Sequence, residues 1–439
     1  MVPHSIPIPM PGGFDIQLPR FVRVRQHFDD AHVDDVDARI KEEFGRLPPM
    51  DLVGKSIAVG VGSRGITPQP PVVRAVIREL KAAGAEPFVV PAMGSHGGGT
   101  AEGQRGILLD YGMSEEFLGC PIKASMEVVQ VGALENGCPV YCDKYAYEAD
   151  YIVPCNRVKP HTDFRAKHES GLIKMITIGL GKHAGAEALH LQGFADFHEV
   201  LPAAARIFID NTKVLFGVAM MENAYDQLKH VELVPRDDIF ERDAALLEIA
   251  KQNIPRFLFD AVDVLVIDQI GKNISGSGMD PNATGRPNTG LPGFEDVPDI
   301  NQIVVRDLTE ATHGNATGLS GADVTTQRVV SKMDWSMTYV NIVTSGIISG
   351  AKLPLVADTD QQAIAIALRG CARVQPEQAR IARARNTLEL GEIWLTETML
   401  DQVETNPKLD AVGEPFDAVF DQDGALLEFP SDEQMRHSA

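Results

Sequence analysis

The sequence predicts an α/β protein of two domains, with mainly parallel sheets flanking an interdomain active-site cleft. Three observations carry this expectation. Short apolar runs such as SIAVGV at Ser56–Val61 alternate with amphipathic stretches of helical period, the pattern of strand–helix–strand units. The polar loops that hold Ser63, His96 and His161 fall just after apolar runs, at the edge where open α/β sheets bind ligands. A fresh buried run, AVDVLVID at Ala261–Asp268, restarts the pattern, and 439 residues are enough for two domains. The boundary is expected near Phe257. An N-terminal domain over 1–256 would carry the histidine-bearing loops. A C-terminal domain over 257–439 would contribute substrate-binding residues.

Each element has its own signal. The strand Ser56–Val61 leads through SRGITPQPP to a helix, Val72–Ala83, with Val73, Val76, Ile77 and Leu80 on one face. A strand at Pro87–Pro91 runs into AMGSHGGGT, and Thr100 stands where it caps a helix ending near Tyr111. Asp150–Pro154 and Val214–Met220 read as buried strands, and Glu241–Lys251 as a helix. Beyond Ala261–Asp268, strands are expected at Gln302–Val305 and Tyr339–Val343, and a helix at Asp360–Gly370. FDAVFDQDGALLEF, Phe416–Phe429, reads as a terminal hairpin.

Composition narrows the partners. With 40 Lys and Arg against 61 Asp and Glu, the formal charge is −21, which disfavours nucleic acid. An anionic substrate stays compatible, because a basic pocket can sit inside an acidic molecule. The start, MVPHSIPIPMPGG, lacks the pattern of a signal peptide, and no apolar run reaches the roughly 18 residues of a membrane span. Five cysteines without framework spacing read as free thiols in a reducing cytoplasm. A cytoplasmic protein acting on a small molecule is expected, with no nucleic-acid or membrane partner.

The chemistry concentrates between Arg157 and His190, RVKPHTDFRAKHESGLIKMITIGLGKHAGAEALH. His161, His168, Lys174, Lys182, His183 and His190 stand there among Gly, Ile, Leu and Ala. Apolar surroundings lower the pKa of Lys and His and make them usable as bases, nucleophiles or ligands. His96 lies in a second loop, between Gly94 and Gly97–Gly99, where backbone can approach a ligand closely. Gly60-x-Gly62-x-x-Gly65 matches a dinucleotide fingerprint, but Pro68, Pro70 and Pro71 intrude and PFVVP ends without the acidic residue. A tight turn aiming Arg64 and Thr67 into a pocket is the better reading; an NAD(P)-dependent oxidoreductase is the alternative. Lys182-His183 lacks phosphate-loop spacing, and nothing beside His183 and His190 supports zinc. Gln269 and Lys272 follow the strand Ala261–Asp268, where a lysine reaches a carboxylate.

These motifs, in this order, resemble the nickel-dependent lactate racemase family and its 2-hydroxyacid racemase and epimerase relatives. Gly94-Ser95-His96 and Lys159-Pro160-His161 match the two catalytic-histidine motifs. Ser170-Gly171-Leu172-Ile173-Lys174 matches the cofactor tether, and His190, sixteen residues later, the nickel ligand. Gln269 and Lys272 match the carboxylate-binding pair. The resemblance implies an isomerase that inverts C2 of a 2-hydroxy acid by proton-coupled hydride transfer. Its cofactor would be a nickel-pincer nucleotide of the pyridinium-3,5-bisthiocarboxylic acid mononucleotide type, held covalently by Lys174 beside Ser170 and Gly171. Cofactor-biosynthesis proteins would be needed for maturation. His96 and His161 would each serve one face of C2 as base. Arg64, Thr67, Gln269 and Lys272 would bind substrate.

Three features depart from the pattern. The first loop is Ser63-Arg64-Gly65-Ile66-Thr67-Pro68 instead of one with Asp and Thr-Arg-Pro. The loop from His161 to Lys174 is long and brings in His168. The substrate-side loops are not recognisable in SGSGMDPNATGR. Asn273, Asn282 and Asn288 point toward a polyhydroxylated sugar acid. A family member without nickel, acting as a lyase or binding protein, is the other alternative.

Overall fold

The structure is a computed structural model, and it describes residues 5–62 and 69–429. The chain divides into two compact units, one of residues 29–254 and one that joins the segment up to Phe28 with the segment from Pro255 onward. The first strand, β1 (Phe21–Gln26), belongs to the second unit. In this it departs from the expected domain over 1–256. FVRVRQ reads locally as a buried strand, but its partners lie more than 350 residues away, so no local pattern says which sheet it joins.

The unit 29–254 is built on a five-stranded sheet and a two-stranded ribbon. Its strands are β2 (Ser56–Val61), β3 (Glu86–Pro91), β4 (Val128–Ala133), β5 (Pro139–Asp143), β6 (Tyr151–Arg157), β7 (Phe216–Glu222) and β8 (Leu228–Pro235). The sheet order is β3-β2-β6-β7-β8, with β4 and β5 forming the ribbon. The first four sheet strands run parallel, and β8 closes the edge antiparallel to β7. The helix Gln69–Ala82 buries Val72, Val73, Val76, Ile77 and Leu80 in one core with Val59 and Val61. Burying a side chain of that size contributes about 1.5–3 kcal/mol each. Because β3, β2 and β6 are parallel neighbours, the loops that leave their C-terminal ends emerge at one edge.

The other unit holds an eight-stranded sheet. Its remaining strands are β9 (Ala261–Ile270), β10 (Asp299–Leu308), β11 (Val324–Thr326), β12 (Leu355–Ala357), β13 (Ile381–Ala384), β14 (Glu392–Thr396) and β15 (Leu409–Phe416). The order is β12-β11-β10-β9-β13-β14-β1-β15. Pairing is parallel from β12 through β13 and antiparallel from there to β15. The class is the expected mixed α/β, with mainly parallel sheets.

The expected strand at Tyr339–Val343 is instead part of a helix, Trp335–Ser345. The β-branched run suggested a strand, yet both ends carry helix signals. The Asp334 carboxylate accepts from the Met337 N–H at 2.8 Å, and Gly346 closes the helix with φ 71°. Thr338 and Ile342, four apart, form the buried stripe. The terminal hairpin is present in short form, with Asp421 N–H donating to Ala425 O and Leu427 N–H to Val419 O. No helix among the described residues is long and apolar enough to cross a membrane. All five cysteines are free and buried.

Candidate active site

His161 leaves the end of β6 in a loop that folds back on itself. Lys159 and Ser170 exchange backbone hydrogen bonds, so the loop is clamped at its neck. Its centre is Glu169, about 1% exposed, whose carboxylate accepts from His161 N–H at 2.7 Å and from Ala166 N–H at 3.2 Å. Arg165 and Lys251 neutralise that carboxylate at 3.4 and 3.2 Å. The His161 side chain is buried, and its Nδ1 accepts from Asp163 N–H at 3.0 Å. Its Nε2 lies 2.7 Å from Lys174 Nζ.

Lys174 ends a single helical turn, Leu172–Lys174, that opens at Gly171. Gly171 O accepts from the Asn156 side-chain amide at 2.8 Å. A Cβ on Gly171 would sit 2.1 Å from Asp243 Oδ1, so only glycine fits. That close carboxylate accepts from Leu172 N–H at 2.6 Å, and its other oxygen meets His168 Nδ1 at 3.0 Å. His168 thus supports the Lys174 turn through Asp243.

The chain then takes a π-helical turn, Met175–Gly179, and begins the helix Lys182–His190. On an unbroken α-helix, residues sixteen apart would lie about 24 Å along the axis and about 160° around it. Here the π turn and the left-handed Lys182, φ 56°, redirect the chain. His190 consequently lies near enough to Lys174 for its charge to act on the imidazole. Phe194 and Phe197 complete the nest. His190 stacks on Phe197 at 5.7 Å and 8°, and Phe194 lies 5.5 Å from His190 and 5.9 Å from His161. Phe164 covers His161 at 4.4 Å. Burial, and secondarily the Lys174 charge, holds His190 down at about 4, so its ring is neutral at neutral pH. Its Nδ1 is buried without a hydrogen-bond partner among the described residues, the condition of a nitrogen free to bind a metal.

His96 follows β3 in a turn of different build. It is exposed, and the three glycines after it all have positive φ. At Gly97, φ 66°, a Cβ would fall 2.6 Å from Gln104 N. The Gln104 amide donates to Gly94 O at 2.9 Å and His96 O at 3.2 Å, and Gly94 N–H donates to Gly179 O at 3.2 Å. Below Gln104 stands Lys182, 0% exposed, donating to Gln104 Oε1 at 2.5 Å and Pro91 O at 2.7 Å, with Asp143 3.7 Å away. Burial pushes Lys182 down to about 8 and Asp143 up, each opposed by the other's charge. His183 is exposed and packs its ring against Gly99.

Thus His161, Lys174, His190, Ser170 and Gly171 are gathered, and the His96 turn is hydrogen-bonded to the π turn that follows Lys174. Arg64 and Thr67 lie outside the described residues. Gln269 and Lys272 stand in the other unit, at and just after the end of β9. Gln269 is exposed; Lys272 donates through Nζ to Gly276 O at 2.7 Å. Gly60 lies inside β2 and not at a phosphate turn. Among the described residues no three His, Cys, Asp or Glu side chains gather as a metal would need. Sequence reasoning missed the supporting groups. Glu169 and the Phe194–Phe197 pair sit beside the histidines in sequence and were findable; Gln104, Asp143 and Asp243 carry no local signal.

The unit 29–254 is an α/β domain that sets a buried histidine, a lysine and a second imidazole together beyond its strand ends, an enzyme's arrangement. Residues 56–199 match the family described as the lactate racemase N-terminal domain. In fold, the chain is similar to the lactate racemase apoprotein of Thermoanaerobacterium thermosaccharolyticum. The TM-score is 0.51 at 11% identity, over 84% of this chain and 99% of that one. No curated protein matches the sequence. The match over residues 56–199 supports a racemase-type function in general.

Proposed function

We propose that the chain inverts C2 of a 2-hydroxy acid, with a nickel-pincer nucleotide held on Lys174. The observation that carries this reading is the contact of His161 Nε2 with Lys174 Nζ at 2.7 Å, with His190, whose Nδ1 has no hydrogen-bond partner among the described residues, in the same ring nest. A neutral imidazole whose Nδ1 accepts from Asp163 N–H carries its hydrogen on Nε2. The 2.7 Å contact puts the Lys174 amine beside an imidazole able to exchange a proton with it. Lys174 is the residue that would hold a carboxyl-derived group of the cofactor.

The donor set fits the group. One neutral histidine nitrogen is offered, with no cluster of carboxylates or thiolates among the described residues, so the remaining ligands would come from the organic part. When bound, the group supplies the acceptor for the C2 hydrogen. The protein's own residues do the rest. His161 and His96 take the hydroxyl proton, one for each enantiomer, and return it after the planar 2-keto acid is reloaded on the other face. The Phe164, Phe194 and Phe197 rings keep water from this nest. Gln269, Lys272 and Arg64 would be the substrate-carboxylate binders.

The test is coexpression with the cofactor-making proteins, followed by intact mass, nickel analysis and an assay of C2 inversion over simple and polyhydroxylated 2-hydroxy acids. A mass increment on Lys174, bound nickel and inversion of one acid are expected. Protein that emerges without increment and without nickel, yet active as a lyase or with NAD(P), overturns the reading.

A further inference from the structure

The mechanism leaves one buried charge unexplained. Lys182 is wholly enclosed, takes a left-handed backbone conformation rare outside glycine, and touches no part of the proposed chemistry. Its ammonium instead fixes Gln104. Because Lys182 claims the Gln104 side-chain oxygen, the amide nitrogen must face the other way, toward Gly94 O and His96 O. Pro91 O, at the end of β3, and Asp143, at the end of β5, hold the ammonium from the remaining sides. A single connected path therefore runs from two strand ends through one amide to both sides of the turn that carries His96.

We propose that Asp143, Lys182 and Gln104 are positioning residues that set the His96 turn, with Gln104 the group that transmits the constraint. This rests on the reading of His96 as a base. The backbone geometry agrees. Gly97–Gly99 bring no side chains of their own to the turn, and the Gln104 amide reaches its backbone at two carbonyls from beneath. A lysine in this place must bring its partners with it, since an unpaired buried ammonium is costly.

Gln104→Glu separates positioning from folding. The carboxylate still accepts from Lys182 but loses both donors to the turn. In cofactor-free protein, hydrogen exchange at the amides of Gly94, His96, Gly99 and Thr100 is expected to quicken at least about tenfold, with Val59 and Val153 in the central strands unchanged. The His96 imidazole carbon resonance should move, while that of exposed His198 stays. In loaded enzyme kcat should fall about tenfold or more with KM held within about twofold. Lys182→Met combined with Asp143→Asn should reproduce the exchange pattern; if that pair fails to fold, Gln104→Glu decides alone. Unchanged exchange and an unmoved His96 resonance in Gln104→Glu overturn the proposal, as does a raised KM with kcat intact. If the turn responds but His96→Ala turns over normally, the base assignment falls and the positioning stands.

Discussion

The loops that carry His161 and His96 have the same expected task and opposite construction. The His161 loop is closed by charge. Its buried Glu169 holds the backbone, Arg165 and Lys251 balance the carboxylate, and three phenylalanines surround the ring nest. The His96 turn is made largely of glycine and is held from below by the Gln104 amide, with Gly94 N–H also donating to Gly179 O. The difference teaches where rigidity is needed. His161 stands against Lys174 and shares a ring nest with His190, so an error there displaces three groups at once. His96 approaches from an exposed turn and has only its own imidazole to place.

The largest expected effect falls on what only the first region has. Lys174→Ala should abolish turnover and the covalent mass increment in protein matured with its cofactor, while the unloaded chain keeps its thermal transition. An increment retained in that variant breaks the comparison, since the tether would lie elsewhere. Next come the two bases. His161→Ala and His96→Ala should each cut full turnover about 10²–10⁴-fold, the usual loss for a general base. A single-turnover quench should still yield 2-keto acid from one enantiomer in each variant, and from opposite enantiomers in the two. Equal yields from both enantiomers in both variants would remove the bases from these residues.

Stability sharpens the contrast. Glu169→Ala should cost about 3–4 kcal/mol in urea unfolding, because it strands two backbone donors and two cations around a buried cavity. Acid should act through His190. Between its ordinary 6.5 and its folded value of about 4, the unfolded chain binds a proton that the folded chain refuses. Stability is therefore full above pH 6.5 and falls by about 3 kcal/mol as the pH drops toward 4. Unfolding of metal-free protein at pH 7 and pH 5, compared with His190→Gln, measures it; the variant should show a flatter dependence. The smallest effect belongs to the glycine turn. Thr100 caps the helix Ala101–Asp110 by accepting from Gly103 N–H at 3.1 Å, so Thr100→Ala should cost about 1 kcal/mol. A loss as large as that of Glu169→Ala would mean that the two regions are built alike.

By itself the sequence determined the strands Ser56–Val61 and Ala261–Asp268, the helix capped by Thr100, and the candidates His96, His161, Lys174 and His190. These are readable because hydrophobic period, capping residues and motif spacing are properties of neighbouring residues. Tertiary structure decided the rest. It put β1 among strands more than 350 residues away, made a helix of Trp335–Ser345 where β-branched residues suggested a strand, and brought His190 to Lys174 through a π turn and a left-handed lysine. It also supplied Asp243, Gln104 and Asp143 from distant segments. Their reason for being there is electrostatic: a buried donor or charge must be satisfied by whatever chain passes near it, and which chain passes near is decided only when the whole fold forms.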